Sequence, residues 1–161
     1  MPEFDFAQPT SLNDALDLFA ADGEVRALVG GTDIVDQLKT GRRNADMVVD
    51  VKRIPELQRL ELTDDGLHIG AARNLTDIAE FPPVVSDYRG LADSSLLIGS
   101  WQIQNRAGLG GNVCHAAPSG ATIPALLSHD TVAVVASNSG TREIALSDFF
   151  AGPGQTVLQK G

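Results

Sequence analysis

Cysteine is nearly absent from this chain: Cys114 is the only one in 161 residues. A lone thiol excludes an internal disulfide and an iron–sulfur cluster held by this chain's own cysteines, and it fits a reducing compartment. Histidine is scarce as well. His68, His115 and His129 lie too far apart for the ligand spacing of a zinc site. Positive charge is in deficit, with 12 basic against 21 acidic residues and a net charge of −9. A nucleic-acid or anionic-membrane partner needs a basic footprint, so both are excluded. No apolar run reaches the length of a membrane span. The start, Met1-Pro2-Glu3-Phe4, lacks a basic segment followed by an apolar one, so a cytoplasmic protein is expected. Aromatic residues make up only 5 %. Trp101 and Tyr88 can stack on a flat cofactor, although such residues more often fill a core.

Glycine is plentiful, and it is clustered. Leu28-Val29-Gly30-Gly31-Thr32-Asp33 and Asn105-Arg106-Ala107-Gly108-Leu109-Gly110-Gly111-Asn112 lie about eighty positions apart. Glycine reaches positive φ and lets backbone N–H groups approach a ligand closely. Runs of such groups form concave nests that suit phosphate. Two nests can grip the two halves of a pyrophosphate, as in a dinucleotide. With so few basic residues, backbone amides must do most of the holding.

The rest of the chain supplies a scaffold. Ser11 with Asp14 opens a helix whose Leu12, Ala15, Leu16 and Phe19 share a face, and Gly23 ends it. Val25 to Val29 reads as a strand, Asp33 to Lys39 as a helix and Met47 to Val51 as a second strand, which together make a βαβ unit. After Pro55, Leu57 to Leu62 and Leu67 to Ile69 flank an Asp-Gly turn and read as a hairpin. Asn74 to Phe81 reads as a helix, Pro82-Pro83 as a break, and Val84 to Leu97 as one longer helix with Val84, Tyr88, Leu91 and Ser95 near one face. Ala121 to His129 is helical, and Thr131 to Ala136 pairs with Thr141 to Leu146. The expected organisation is two lobes, residues 1–54 and 55–161, with one glycine segment in each.

The candidate site residues have competing readings. Gly30-Gly31-Thr32-Asp33 is either a phosphate nest or a bare strand-to-helix turn, with Asp33 as the helix N-cap. The second segment has Val113 where a dinucleotide fingerprint needs its third glycine, and no strand precedes it, so a Rossmann assignment fails. A second nest remains, in which Asn112 bonds its own turn or a ligand amide. Cys114 is expected to be a buried thiol beside a partly exposed His115, on a strand, without an acid partner. His68 is expected on the exposed face of a strand, and Asp64 and Asp65 belong to a turn.

In their order along the chain, these pieces resemble the FAD-binding domain of the flavoprotein (medium) subunit of molybdenum hydroxylases, the xanthine dehydrogenase and aerobic carbon monoxide dehydrogenase family. Phe4-Asp5-Phe6 to Ser11-Leu12, Leu28 to Ile34, Val49 to Leu57, Leu67 to Ala71, Gln104 to Asn112, Pro124 to Leu127 and Asp148-Phe149-Phe150 carry the resemblance. It implies an α+β, two-lobed flavin domain of the vanillyl-alcohol-oxidase type, in which a small βαβ lobe precedes a larger, mainly antiparallel one. It implies FAD as cofactor, with Val29, Gly30, Gly31, Thr32, Asp33, Gly108, Gly110, Gly111 and Asn112 at the pyrophosphate and no catalytic acid or base. It implies partner subunits that carry [2Fe–2S] clusters and molybdopterin, with electrons passing through the flavin to an acceptor. The chain would then be part of a multi-subunit FAD-dependent dehydrogenase, without the family's C-terminal domain.

The chain departs from the family pattern at three positions. Gly108 stands where a threonine is usual, Ala117 where a serine is usual, and Ala121 where an aspartate is usual. Each lost ligand hydrogen bond costs on the order of 1 kcal/mol. A second expectation follows from these departures: a relative with weak flavin binding that acts as an assembly or interaction module.

Overall fold

The computed structural model describes residues 3–159. Met1, Pro2, Lys160 and Gly161, and with them the readings made above at the two chain ends, lie outside the described residues.

The first lobe is built on a parallel sheet. Strands β1 (Asp5–Ala7), β2 (Val25–Leu28) and β3 (Met47–Asp50) pair in the order β1-β3-β2. β3 is central, and Val48, Val49 and Asp50 are all buried. This explains its unbroken apolar run, since neither face meets water. Helix α1 (Leu12–Ala20) is capped by Ser11, whose hydroxyl accepts from the Asp14 N–H at 3.1 Å. Helix α2 (Ile34–Lys39) joins β2 to β3. The βαβ unit is therefore present, together with the short β1, which periodicity does not reveal over three residues.

The second lobe is helical, with hairpins. β4 (Leu60–Thr63) and β5 (Gly66–Ile69) pair antiparallel. Their two-residue turn is Asp64-Asp65; Gly66 already belongs to β5, at φ 136°. Helix α3 (Leu75–Glu80) is capped by Asn74, which accepts from the Asp77 N–H at 2.7 Å. The expected single helix over 84–97 is two: α4 (Pro82–Asp87) and α5 (Arg89–Leu96). The prolines begin α4, where a missing N–H costs nothing. The chain turns at Tyr88 (φ −125°, ψ 42°), whose ring packs on His129 with centroids 4.9 Å apart. Then come α6 (Trp101–Gln104), α7 (Leu109–His115) and α8 (Thr122–Leu127). β6 (Val132–Ser137) and β7 (Gly140–Ala145) form a second antiparallel hairpin, and β8 (Phe150–Gly152) and β9 (Gln155–Thr156) a third.

The second lobe has its own core, with Leu75, Ile78, Val84, Leu91, Leu126 and Phe149 at its centre. A smaller cluster crosses between the lobes. Ala15, Val49, Val51 and Ile54 of the first pack with Ala72 and Leu57 of the second. At the far end, Asn138 Nδ2 donates to Asp17 Oδ1 at 3.2 Å, tying the β6–β7 turn to α1. Both glycine segments lie at this inter-lobe junction.

Candidate functional site

The first segment leaves β2 and turns before α2. Gly31 turns it, at φ 80°, a left-handed conformation that side chains resist. Among the described residues, the N–H groups of Gly30, Gly31 and Thr32 donate to no protein acceptor. These residues are half-buried, so the free donors sit in a recess rather than on an open loop. Asp33 is exposed, and its side chain makes no capping hydrogen bond to α2; at ψ −49° its backbone is already helical, not in the extended conformation a capping carboxylate requires.

The second segment is not a loop. Gly108 is the N-cap residue of α7, and Gly110 and Gly111 lie in the first turn of that helix. Most of its amides are spoken for. Leu109 N–H donates to the Arg73 carbonyl at 3.1 Å, and Gly110 N–H to the Ala71 carbonyl at 2.8 Å. Asn112 N–H donates to the Gly108 carbonyl at 3.2 Å. The Ala107 carbonyl, four residues before Gly111, accepts from Leu75 N–H at 3.0 Å. The Gly111 N–H has no protein acceptor among the described residues. The N–H of Gly108, at the buried N-cap, likewise donates to no protein acceptor among the described residues, so the second nest reduces to two free backbone donors, one of them buried.

Contact between the segments explains several of the glycines. A methyl group on Gly30 would collide with the Arg106 carbonyl oxygen and lie 2.7 Å from Ala107 Cα. One on Gly108 would collide with Val29 Cγ1, and one on Gly110 would lie 2.6 Å from Ala71 Cβ. Gly30 lets backbone meet backbone, Gly108 makes room for the Val29 side chain, and Gly110 lets α7 close on Ala71. Gly111 differs, because a methyl there would come no closer than 3.6 Å, to Val29 Cβ. Packing does not demand glycine at 111, and a Cβ would simply occupy the space beside its free N–H.

Asn112 adds a side-chain donor. Its Oδ1 accepts from the Thr122 hydroxyl at 2.6 Å, and Thr122 is fully buried on α8. The partner lies across the helix pair and not in the asparagine's own turn. Because the carbonyl oxygen is engaged, the Nδ2 amide is the end turned away from Thr122. Thr122, Ala71 and Arg73 are support residues that sequence reasoning missed. Two act through backbone carbonyls, which no residue type advertises.

Beyond α7 lies an apolar cleft of about 280 Å³, lined by Ala116, Ala117, Pro118, Ile123, Phe150 and Pro153 among others. Ala116 closes the helix at φ 50°, and its carbonyl accepts from Gly154 N–H at 2.8 Å. Ala117 faces this cleft; Ala121 precedes α8 and does not line it. Trp101 is 67 % exposed and so is not core.

The remaining titratable candidates do not form a catalytic group. Cys114 is on helix α7, not on a strand, and the residue as a whole is exposed. Neighbouring protein bulk nevertheless raises its pKa, so it is a poor nucleophile. His68 is half-buried on β5 and lies 3.0 Å from Asp65. Hydrogen bonds from Thr63 and then His68 lower the Asp65 pKa to about 2. Among the described residues, no three His, Cys, Asp or Glu side chains group to hold a metal ion, and no helix is long and apolar enough to cross a membrane.

What the arrangement offers is a set of uncharged donors from two lobes at the start of α7, and an apolar cleft past the end of that helix. Such a site suits a diphosphate joined to a flat, largely apolar ring. Comparison with known proteins agrees with this chemistry. The profile of the family described as "FAD binding domain in molybdopterin dehydrogenase" matches residues 2–161. The chain is 33 % identical over 156 residues to the nicotinate dehydrogenase FAD-subunit of Eubacterium barkeri, covering 96 % of this chain and 53 % of that one. It is 32 % identical over 160 residues to the xanthine dehydrogenase FAD-binding subunit of Escherichia coli O157:H7, covering 97 % of this chain and 55 % of that one. Among solved structures, a carbon monoxide dehydrogenase from Hydrogenophaga pseudoflava superposes with a TM-score of 0.93 at 26 % identity, over 98 % of this chain and 55 % of that one. The chain therefore spans about half the length of the relatives it matches.

Proposed function

The chain belongs to the family of FAD-binding domains of molybdopterin dehydrogenases, and from that premise we propose that it binds FAD and relays electrons within a multi-subunit oxidoreductase. The observation that carries this reading is the set of unpartnered amides at Gly30, Gly31, Thr32 and Gly111, brought together from two lobes. They would hold the pyrophosphate, with Asn112 Nδ2 as a further donor and Val29, Gly108 and Gly110 as the packing that brings the donors together. Asp33 would stand at the rim. The lobes divide at 54/55, so that the ligand lies between them.

The residues present fit the group. The donors are neutral, as a chain of net charge −9 requires, and no atom crowds the side-chain position of Gly111 closer than 3.6 Å. The cleft at Ala117 offers an apolar wall to a ring system. When bound, FAD supplies one- and two-electron chemistry, and the protein supplies binding, orientation and exclusion of water. In this reading the chain takes electrons from [2Fe–2S] clusters on a small subunit that a molybdopterin-bearing large subunit has reduced, and it works in the cytoplasm. Its only cysteine is Cys114, so the [2Fe–2S] clusters would belong to a partner.

The test is the visible spectrum of the purified chain, with identification of any flavin released on denaturation. Near-stoichiometric FAD is the expected result. Gly111→Val should abolish flavin uptake while leaving the fold intact by circular dichroism. A colourless protein that also refuses added FAD would overturn the reading and leave the assembly-module alternative suggested by Gly108, Ala117 and Ala121.

A further inference from the structure

The Val29 side chain packs against Gly108 and borders the side-chain space of Gly111, the two glycines at either end of the first turn of α7. The position that a Cβ on Gly108 would take is filled by Val29 Cγ1, and Val29 Cβ and Cγ2 lie 3.6 and 4.0 Å from the corresponding position at Gly111. Its other side rests on the inter-lobe cluster of Ala15, Val49, Val51, Ile54 and Ala72. Gly108 is buried, so this contact is enclosed. Next in the chain, Gly30 is in backbone contact with Arg106 and Ala107. The Val29 side chain thus stands between the first segment and the start of α7.

A β-branched residue has few χ1 choices, so valine behaves as a stiff spacer where leucine or methionine would not. We propose that Val29 is the positioning residue of this cradle: wedged into the notch between Gly108 and Gly111, it fixes the Gly111 amide relative to those of Gly30, Gly31 and Thr32 at the span a diphosphate requires. The proposal rests on the diphosphate reading and adds that Val29 acts through the glycines rather than through contact with the ligand. It also accounts for Gly108 itself. The absence of a side chain there makes room for the wedge, so residues 29 and 108 must be chosen together.

A double-mutant cycle on the 161-residue chain tests this, with ADP and FAD as separate probes and urea unfolding of the ligand-free protein as a third readout. Val29→Ala should weaken ADP binding about tenfold, the loss expected when one hydrogen bond worth about 1.4 kcal/mol is misaligned. Gly108→Ala alone should lower the unfolding midpoint, because its methyl meets Val29 Cγ1. The double variant V29A/G108A should recover part of that midpoint, the Ala71 carbonyl oxygen still lying 3.1 Å from the new methyl, and return ADP affinity toward that of the wild type, since the new methyl refills the notch. Val84→Ala, in the separate core of the second lobe, should lower the midpoint without changing ADP affinity. An unchanged ADP affinity in Val29→Ala, or a Gly108→Ala loss that Val29→Ala does not relieve, overturns the wedge while leaving the diphosphate reading standing. A wild-type chain that binds neither ADP nor FAD overturns that reading, and the proposal with it.

Discussion

The two glycine segments look alike in composition and do different work. In the first, the backbone is bent by Gly31 at positive φ, and three consecutive amides are left without protein partners. In the second, the backbone begins a helix, two amides are tied to the 71–73 segment, and those of Gly108 and Gly111 remain free among the described residues. Gly30, Gly108 and Gly110 are glycines because another chain segment occupies the space a side chain would need. Gly31 is glycine because of its φ, and Gly111 for neither reason. A glycine-rich motif is therefore not a count of ligand contacts, and at this junction most of its glycines serve packing between lobes.

The sharpest way to break the comparison is at Gly30. A methyl there meets backbone, namely the Arg106 carbonyl and the Ala107 Cα, and backbone cannot rotate away as a side-chain tip can. Gly30→Ala should destabilise the chain by about 3 kcal/mol, at the upper end of ordinary overpacking. Gly111→Ala, whose methyl makes only an ordinary contact with Val29, should leave stability unchanged or raise it by up to about 1 kcal/mol, as helix propensity favours alanine over glycine. Urea unfolding of the two variants side by side checks this. Equal losses would mean that the two glycines are not distinguished by packing.

This division was only partly legible in the sequence. The helix starts at Ser11 and Asn74 were legible, because each cap and its partner three residues on form a local pattern. So was β3, whose apolar run reports burial on both faces. The fate of the second segment was not. That Gly110 N–H meets the Ala71 carbonyl depends on a fold-back of nearly forty residues, and a carbonyl carries no residue signature. The split at Tyr88 was hidden for a similar reason, since Pro82-Pro83 drew attention as the break while the turn follows the packing of Tyr88 on His129. Cys114 was misplaced because reading α7 as a loop put the thiol on a strand.

A second prediction sharpens the comparison from the side-chain end. The second segment offers few free backbone donors, so Asn112 must supply the rest. Its Oδ1 is held by the buried Thr122 hydroxyl, so Asn112→Asp keeps that bond and replaces the outward amide with a carboxylate oxygen. Stability at neutral pH should change little. FAD affinity should fall about 10- to 100-fold, or about 1.4–2.8 kcal/mol, because a donor becomes a charge that repels phosphate. Fluorescence titration checks this. Unchanged affinity would return Asn112 to a purely structural role.

The smallest expected effect concerns what steadies the first segment from behind. Asp50 ends β3 beside the segment's entry, and Val51 N–H donates to the Leu28 carbonyl at 3.1 Å. Its buried carboxylate accepts from Gln8 Nε2 at 3.0 Å, Lys52 Nζ at 2.7 Å and Lys52 N–H at 3.1 Å. Burial alone would raise its pKa, but the hydrogen bonds from Lys52 and Gln8 together outweigh burial and hold it below the ordinary value of 3.8. A carboxyl depressed in the folded state stabilises fully above its unfolded pKa, and that contribution fades as pH falls through the lower folded value. Asp50→Asn should therefore cost about 1–2 kcal/mol at pH 7, the worth of a charge-assisted hydrogen bond. The gap between variant and wild type should narrow only below about pH 4, where the unfolded carboxyl protonates. Because α7 draws nothing from this cluster, the loss should appear in unfolding midpoints while the α7 donors stay in place. A variant whose deficit persists undiminished at pH 2 would show that Asp50 acts through shape and not charge. The first segment would then be steadied, as the second is, by packing.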